Sequence, residues 1–370
     1  MTEMQDDQGV TVLYDDLESF AVRCLDAEGA DDEDARITAG FLTRTDAFGI
    51  HSHGLKNLAG YLEKARRGAL DLTARPRTAV DGPSYALLDA HMAIGMVAGI
   101  RAMRMAVVKA RDSGIAMVVV RSSTHFGAAG LYALAAAEEE MIGLTASNVD
   151  PNMTVPGARG KVLGNNPIAY SFPAGKHRPV VYDVALSAVA SLKVIAARNA
   201  GRTTPEAWIV DSSGHPTTDP SRYPDEGAMI PMAGHKGYGL ALLVDALTGV
   251  LANAATSDQI PSWLFEMDRP NNVSHLFIAI DPSVFGGAPG FGTRVEAFLD
   301  RIHAAPLAEG AEEILHPGQL EWRRYDRARR HGLSLPPDVV ASLDTAGRLA
   351  GAAPPWSSAT STAGEQPHSG

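Results

Sequence analysis

The pattern of apolar and polar positions predicts helices at the start of the chain. The first helix has one apolar face at helical spacing, made up of Leu13, Leu17, Phe20, Ala21 and Leu25. A second is predicted from about Asp31 to Phe48, because Asp31 can cap its first turn and the acidic residues after it favour the positive end of the helix dipole. A third amphipathic helix is predicted over residues 55–67.

Further along, apolar runs alternate with helical stretches. The apolar or β-branched runs that predict strands cover residues 115–120, 142–147, 167–172, 180–183, 207–210 and 275–281. The stretches that predict helices cover residues 92–112, 128–140, 187–199, 238–253 and 292–303. This alternation indicates an α/β fold in which helices pack on the faces of a sheet.

The last part of the chain has a different composition. Residues 318–331 form one helical run that contains Arg323, Arg324, Arg327, Arg329 and Arg330. This run is either a solvated helix face or a site for an anionic cofactor. Residues 351–370 are mostly Ala, Pro, Ser, Thr and Gly, which predicts a disordered tail.

Composition excludes several classes of protein. Among 370 residues, 32 are Lys or Arg and 43 are Asp or Glu, so the formal charge is −11. An acidic chain without a basic stripe is a poor nucleic-acid binder. A single cysteine, Cys24, excludes an internal disulfide and a multi-cysteine metal site. No apolar run is long enough for a membrane span, and residues 1–8 lack the apolar part of a signal peptide, so we expect a cytoplasmic protein.

The segment His51-Ser52-His53-Gly54 follows a predicted helix and has four interpretations. The two histidines could bind a metal, Ser52 could be a nucleophile with His53 as its base, or His53 could pass a proton to a substrate oxygen. The fourth interpretation is a turn without chemistry. No carboxylate or third histidine lies beside the pair in the sequence, so no metal site is expected. Neighbours in sequence seldom have the mutual geometry of a nucleophile and its base, so proton transfer by His53 is favoured.

Three further segments suit a ligand. Residues 122–130, which include His125, end a buried strand and open a helix, where backbone amides can bind a phosphate; a plain strand–turn–helix joint is the alternative. Asp183 ends a β-branched run and is either functional or a helix cap. Residues 234–239 place His235 and Lys236 among glycines at a helix start, which suits an anion or a flexible start. No GxGxxG follows a strand, so an ordinary Rossmann fingerprint is absent.

Taken together, the motifs resemble the malate/L-lactate (L-sulfolactate) dehydrogenase family, the non-Rossmann NAD(P)-dependent oxidoreductases that include ureidoglycolate dehydrogenase and Δ1-piperideine-2-carboxylate reductase. The resemblance spans residues 13–337. It is carried by five blocks in the family's order: Ser52-His53-Gly54, His125-Phe126-Gly127-Ala128-Ala129-Gly130, Leu163-Gly164-Asn165-Asn166-Pro167-Ile168, Gly234-His235-Lys236-Gly237-Tyr238-Gly239 and Ile314-Leu315-His316-Pro317-Gly318.

This resemblance implies a largely antiparallel central sheet with helices packed around it and a homodimer. It also implies hydride transfer between NAD(P)H and the C2 carbon of a small 2-oxo acid or related carbonyl. We expect a helical region over residues 1–80 with the Ser-His-Gly motif, a cofactor-binding domain over 81–290, and C-terminal helices over 291–350 that pack back on the first region.

The resemblance also assigns site residues. His53, Ser52 and His125 are the catalytic candidates, and Asn57 and Asn165 are the substrate-binding candidates. The cofactor-binding candidates are His125, Phe126, Gly127, Ala128, Ala129, Asn148, Asp183, Val184, Ala185, His235, Lys236, Asn272, Pro317 and Gly318.

The sequence departs from the family at positions that matter for the substrate. Asn57 stands where the family usually has an arginine to hold the substrate carboxylate, and an amide cannot replace that bidentate charge. His51 replaces an aspartate of the motif, Lys193 replaces an aspartate of the cyclic-imine reductases, and Gln319 replaces the acid of the Pro-Gly-Glu turn. Asn57 favours one alternative to a 2-oxo-acid dehydrogenase, an imine or specialised-metabolite reductase, although Lys193 argues against the catalytic triad of the cyclic-imine reductases. A non-catalytic ligand-binding relative is an alternative of another class.

Overall fold

The computed structural model describes residues 10–286 and 290–357. Its residues fall into two units, each of which has its own set of internal contacts. The first unit is built from the described residues up to Thr73 and from Leu320 onward, and the second runs from Ala74 to Gln319. Residues 358–370, most of the predicted tail, lie outside the described residues.

The helices and strands of the described residues are numbered in chain order. The α-helices are α1 (Tyr14–Ala27), α2 (Asp32–Ala47), α3 (Leu58–Arg66), α4 (Gly95–Ser113), α5 (Gly130–Ala137), α6 (Ser191–Asn199), α7 (His235–Asp245), α8 (Phe291–His303), α9 (Gln319–His331) and α10 (Pro337–Ala350). The strands are β1 (Val10–Val12), β2 (Arg77–Asp81), β3 (Tyr85–Asp89), β4 (Ile115–Ser123), β5 (Ile142–Ser147), β6 (Ile168–Ala174), β7 (His177–Val184), β8 (Ile209–Val210), β9 (Pro216–Thr217), β10 (Ala228–Met229), β11 (Val273–Ile280) and β12 (Leu333–Leu335).

The first unit is helical, as its apolar spacing predicts. Asp31 caps α2 by accepting a hydrogen bond from the backbone N–H of Asp34 at 2.9 Å. The predicted apolar face of α1 is buried except at Leu13, which precedes the helix, and Cys24 lies buried within it. From the C-terminal part of the chain, α10 packs on α1 and α3, and β12 pairs antiparallel with β1.

The arginine-rich helix α9 belongs to this unit, and part of its charge is used within it. Arg329 pairs with Asp15 at 2.6 Å and lies over the ring of Tyr14. Arg324 packs against Gly49, where the Cδ atom of the arginine comes within 2.8 Å of the position a Cβ atom would take. These contacts favour the interpretation of a largely structural helix face.

The second unit is built around a seven-stranded sheet in the order β2-β3-β4-β11-β5-β6-β7. Every neighbouring pair is antiparallel except β3 and β4. The strand β11 comes from late in the chain and lies between β4 and β5, so that His275 is opposite Val120 on one side and Ser147 on the other. The largely antiparallel α/β sheet expected from the resemblance is therefore confirmed.

Helices cover this sheet. Both α4 and α5 pack on its strands, and α8 packs on β6 through Val295 and Leu299, which meet Ala174 and Val180. The sequence predicts that residues 291–350 pack on the N-terminal region. In the structure α8 belongs instead to the second unit, because its apolar face packs on β6.

Several helix boundaries differ from those predicted. The helix α5 begins at Gly130 rather than at residue 128, and α6 begins at Ser191 rather than at 187. The helix predicted over 238–253 begins earlier, at His235, and continues after Asp245 as a π-helical segment, Ala246–Val250. None of the helices among the described residues combines the length and apolar character needed to cross a membrane.

Candidate functional site

In the first unit, Ser52 and His53 lie in the turn that joins α2 to the short 3₁₀ helix Leu55–Asn57. The Oγ atom of Ser52 is 2.8 Å from Nδ1 of His53. Burial lowers the pKa of His53 below its ordinary value of 6.5. The imidazole is therefore neutral at neutral pH, which is the form that accepts a proton.

A buried carboxylate holds this turn from inside. Asp46, near the end of α2, is 2 % exposed, and its two oxygens are 2.7 Å from Nδ1 of His51 and 2.7 Å from the backbone N–H of Leu55. Burial raises the pKa of Asp46, and its hydrogen bonds with His51 and Leu55 act in the opposite direction. Gly54 passes so close that an added Cβ atom would lie 2.4 Å from the Asp46 carboxyl group. His51, in place of the family's usual aspartate, thus becomes the partner of Asp46.

Asn57 closes the same turn. Its side-chain amide donates to the backbone carbonyl of Ser52 at 2.9 Å and to that of Gly54 at 3.4 Å. The neighbouring Lys56 pairs with Asp338 of α10 at 2.5 Å. Asn57 therefore supports the Ser-His turn. The ammonium group of Lys56 is paired with Asp338, so it does not take the place of the arginine that the family usually has at position 57.

In the second unit, residues 125–129 follow β4 and lead into α5. The ring of His125 stacks on that of Trp263, with centroids 4.8 Å apart, and Gly127 has a φ of 74°, which glycine adopts most readily. Phe126 stacks between His275 and Tyr132 at centroid distances of 4.3 and 4.9 Å. These stacks fix the path of the predicted cofactor segment, which also contains Ala128 and Ala129, both buried.

His275 locks three central strands together. Its Nδ1 atom is 2.9 Å from Oγ of Ser147 on β5, and its Nε2 atom is 2.9 Å from Oγ of Ser123 on β4. Complete burial lowers the pKa of His275 to about 3, so the ring is neutral. Its role is to hold the sheet and to provide the surface on which Phe126 stacks.

Asp183 occupies the start of α5. Its Oδ2 atom accepts the backbone N–H of Gly130 at 2.7 Å, and burial raises its pKa to about 6. Asp183, which lies on β7, therefore caps the N-terminus of α5 and not a helix next to it in the sequence. Because the carboxylate of Asp183 already accepts the N–H of Gly130, this amide is not available to a phosphate. At this amide, the interpretation of residues 122–130 as a plain strand–turn–helix joint is favoured. Val184 and Ala185 follow at the end of β7 and are half-buried.

The asparagines of the predicted site are mostly engaged inside the protein. Asn148 is fully buried, and its amide donates to Asp245 at 3.2 Å and to the carbonyl of Ala255 at 2.9 Å. Asn165 exchanges hydrogen bonds with Asn152 at 2.9 and 3.2 Å, and its amide is 3.4 Å from Oγ of Ser187. Neither side chain is directed to a ligand by these contacts.

His235 and Lys236 are the first residues of α7, and both are exposed. The two residues before the helix, Ala233 and Gly234, have φ values of 50° and 63°, so the backbone turns sharply into it. An added Cβ atom at Gly234 would meet nothing within 4 Å. A positive side chain beside an open helix N-terminus is suited to an anionic group.

The remaining cofactor candidates lie at two other places. Asn272, with a φ of 54°, lines a polar cavity of about 460 Å³ together with Arg121 and Ser122. Pro317 accepts a hydrogen bond from the backbone N–H of Val181 at 3.2 Å, and Gly318 has a φ of 90° and packs on the same residue. The turn at Pro317 is thus fixed to β7.

Comparison with known proteins identifies the family. The family model described as malate/L-lactate dehydrogenase matches residues 12–344. The chain belongs to the malate/L-lactate dehydrogenase family. A malate dehydrogenase of Pyrococcus horikoshii is 34% identical over 353 residues, which are 94% of this chain and 97% of that protein. An L-sulfolactate dehydrogenase of Methanocaldococcus jannaschii is 34% identical over 315 residues, 85% of this chain and 90% of that protein.

Solved structures of this family share the fold. The crystal structure of malate dehydrogenase from Entamoeba histolytica matches with a TM-score of 0.88 at 27% identity, over 94% of this chain and 100% of that one. These matches confirm the predicted family, the fold, and the class of reaction, which is that of an NAD(P)-dependent dehydrogenase or reductase.

Sequence reasoning missed several residues that contact the candidate segments within each unit. Asp46 and His275 each hold a predicted segment in place, and Trp263 stacks on His125. Asp46 carries a detectable signal, since a carboxylate at the end of a predicted helix precedes the Ser-His turn. For Trp263 no sequence pattern indicates the contact, because 138 positions separate it from its partner.

Proposed function

We propose that this protein catalyses reversible hydride transfer between NAD or NADP and the C2 carbon of a small 2-hydroxy or 2-oxo acid or a related carbonyl compound, with His53 exchanging the proton of the C2 oxygen. The observation that carries this proposal is the Ser52–His53 pair, 2.8 Å apart, in a turn anchored on buried Asp46. A fixed imidazole with a lowered pKa is suited to general acid–base catalysis.

The ring nitrogens of His53 have different tasks in this proposal. The contact of Nδ1 with Ser52 sets the orientation of the ring, so the substrate proton is exchanged at Nε2. The lowered pKa keeps the ring neutral, so at neutral pH it serves as the base for oxidation of a hydroxyl group. Reduction requires the protonated ring and is therefore favoured by more acidic conditions.

The residues present fit a nicotinamide dinucleotide. Exposed Lys236 at the start of α7 offers positive charge to its phosphates, and His235 beside it offers a ring N–H donor. The open space at Gly234 leaves room beside them. The segment 125–129, Asp183 and Asn272 supply the remaining candidate contacts. When bound, the nicotinamide gives or takes the hydride, and the protein orients the reactants and moves the proton.

The proposal is tested by removing each histidine separately. In His53→Ala, we expect kcat to fall about 10²–10⁴-fold while the affinity for NADH or NADPH, measured by fluorescence, stays unchanged. His125→Ala tests whether the second histidine shares this role, and His215→Ala, an exposed position in the second unit, is the control. Near-parental turnover in His53→Ala would refute the assignment to His53, and near-parental turnover in both variants would exclude either histidine as the proton-transfer group. For the parental enzyme, the acidic limb of the oxidation rate should lie below pH 6.5.

Asn57 favours a substrate that differs from a simple 2-oxo acid, and this is the basis for a second candidate, an imine or specialised-metabolite reductase. The amide offers no charge, and Lys56 is paired with Asp338. We therefore expect low kcat/KM with pyruvate and oxaloacetate. Asn57→Arg should raise it, because a guanidinium adds charge and bidentate orientation to the carboxylate while it can still donate to the carbonyl of Ser52.

The control for this substitution is Asn57→Gln, which lengthens the side chain without adding charge. An increase that appears with Arg and is absent with Gln supports the interpretation. High parental activity on either acid, unchanged in Asn57→Arg, would show that another group holds the carboxylate.

A homodimer is the proposed assembly. The helix α7 and the segment that follows it expose an apolar face, whose members are Leu240, Leu242, Leu243, Val250 and Leu251. An apolar patch of this kind marks an interaction surface. In analytical ultracentrifugation, Leu243→Glu should shift the protein towards monomer, whereas Val108→Glu, at an exposed position on α4, should leave it unchanged. A parental protein that sediments as a monomer would contradict the proposal.

The cytoplasm is the proposed location. It is supported by the single cysteine, Cys24, which leaves no pair for an internal disulfide. Fractionation of cells that produce the full chain would test it, and recovery in a secreted fraction would contradict it.

A further inference from the structure

We propose that the second unit contains a binding site for one divalent transition-metal ion of the zinc type, in which His177, Asp300 and His303 are ligands and His316 is the fourth. These residues are not among the predicted catalytic or cofactor-binding residues. The proposal does not depend on the proposed function.

The donor atoms are already close together. Nε2 of His177 is 3.0 Å from Oδ1 of Asp300, and Nε2 of His303 is 3.1 Å from Nδ1 of His316. One donor atom from each of His177, Asp300 and His303 lies within 4.8 Å of the other two. In a tetrahedral zinc site with bonds of about 2.0–2.1 Å, donor atoms are about 3.3 Å apart. Small side-chain movements are therefore enough to place His177, Asp300 and His303 around one ion, and His316 is assigned as the fourth ligand through its contact with His303.

Three separate stretches of backbone present the ligands. Asp300 and His303 are three positions apart on α8, so they share one face of the helix. His177 is the first residue of β7, and His316 lies in the turn before α9. The apolar contact of α8 with β6 and β7, described above, fixes α8 relative to β7, and the hydrogen bond from Val181 to the carbonyl of Pro317 ties the turn to β7. The arrangement is thus held by the core and not by surface side chains alone.

The donor set selects a class of ion. Three imidazoles and one carboxylate suit zinc and its neighbours in the first transition row, whereas calcium and magnesium prefer oxygen ligands. His316 is 9 % exposed and His303 is half-buried, so part of the site is shielded. His177 also lines a cavity of about 850 Å³, which gives an ion a path to the site.

One neighbouring charge competes with the ion. The ammonium group of Lys176 is 2.8 Å from Asp300 and 3.1 Å from Glu296. For Asp300 to bind a metal ion, the ammonium group of Lys176 must move away from it, while the ion pair between Lys176 and Glu296 can remain. Removing the lysine should therefore strengthen metal binding, which a merely structural histidine cluster would not predict.

The bound ion would cross-link three parts of the second unit. It would join α8 and the start of β7 to His316, and the residues after His316 are Pro317 and Gly318, which already bond to or pack on Val181 of β7. Since Pro317 and Gly318 are cofactor candidates, occupation of the site would stabilise a turn that the resemblance places at the cofactor.

The experiment uses the full chain without an affinity tag, treated with a chelator and then titrated with zinc chloride against a chromophoric competitor. We expect one equivalent of zinc to bind and the melting temperature to rise. His177→Ala and His303→Ala should each weaken binding at least about tenfold, and Asp300→Asn offers a nearly isosteric variant if either fails to fold. Lys176→Ala should bind more tightly than the parent.

Two controls separate this site from others. His215→Ala, an exposed histidine of the same unit, should leave the titration unchanged, and His51→Ala tests whether zinc binds instead at the Asp46–His51 pair. Substitution with Co²⁺ should give the visible absorption of a tetrahedral site in the parent and not in His303→Ala. The proposal is overturned if the parent binds no zinc, or if its single equivalent survives in His177→Ala and His303→Ala.

Discussion

The substitution Gly54→Ala tests whether the Ser-His turn depends on close packing against Asp46. Gly54 has a φ of −90°, so an alanine there meets no left-handed backbone strain. Its Cβ atom would nevertheless lie 2.4–2.6 Å from the carboxyl atoms of Asp46. The effect of the substitution therefore comes from packing.

The geometry sets the size of the effect. Ordinary van der Waals contact begins at 3.4 Å, so the carboxylate must move by about 1 Å. That movement stretches its 2.7 Å hydrogen bonds to His51 and to the backbone of Leu55. Hydrogen bonds to charged groups contribute about 1.5–3 kcal/mol each, and overpacking costs about 1–3 kcal/mol. We expect a loss of about 2–3 kcal/mol in the free energy of unfolding.

Catalysis should suffer by an amount similar to stability, since a tenfold loss in rate corresponds to about 1.4 kcal/mol. A misplacement of about 1 Å at a reacting group can lower the rate about 10²-fold, and Ser52 and His53 lie directly before Gly54. The assay is kcat/KM on a substrate found by screening, together with urea denaturation. Gly40→Ala is the matched control, because its Cβ atom would lie 3.4 Å from a Glu18 oxygen and alanine favours the helix at that position.

A double-mutant comparison decides the cause. In the background of Asp46→Ala the clash is gone, so adding Gly54→Ala should cause little further loss of stability or activity. Additive effects of the two substitutions would refute the packing explanation. Parental stability and kcat/KM in Gly54→Ala alone would do the same.

Two further predictions concern charged groups of the second unit. Lys236→Ala should raise the dissociation constant for NADH or NADPH, and the difference from the parent should shrink at high salt. Arg202→Ala, an exposed cation of the same unit, should have no effect. Fluorescence titration measures these affinities, and equal affinities in Lys236→Ala and the parent would contradict the prediction. The pKa of Asp183 is raised from 3.8 to about 6, so the folded state retains a proton that the unfolded chain loses. The contribution of Asp183 to stability is present below pH 3.8 and is lost as the pH rises through about 6. Between these pH values the parent should lose more free energy of unfolding than Asp183→Asn, as measured by urea denaturation. Parallel pH profiles of the two proteins would contradict this prediction.

Local patterns were sufficient to predict many elements. The capping of α2 by Asp31 and the apolar face of α1 depend on residues a few positions apart, and both are found as expected. The sequence predicts the start of α7 at residue 238, because the glycines around His235 disfavour a helix by propensity. In the structure the helix begins three residues earlier, at His235, after the sharp backbone turn at Gly234.

The candidate site could be predicted only in part. The motifs locate Ser52, His53 and His125 by their similarity to a family, and the roles of these residues stay predictions. The cap on α5 could not be predicted, since Asp183 comes from a strand 53 positions away from Gly130. The same applies to the histidine cluster, whose members lie on a strand, a helix and a turn.

The sequence by itself determined the content of the elements and the family, and it indicated candidate reactive groups, because periodicity, capping and motif order depend on neighbouring residues. Only the tertiary structure decided which groups meet. The insertion of β11 between β4 and β5 brings His275 to Ser123 and Ser147, and the packing of α8 on β6 brings Asp300 and His303 to His177. These contacts form because apolar faces that are far apart in the sequence are buried against each other, and no local sequence pattern predicts which faces will pair.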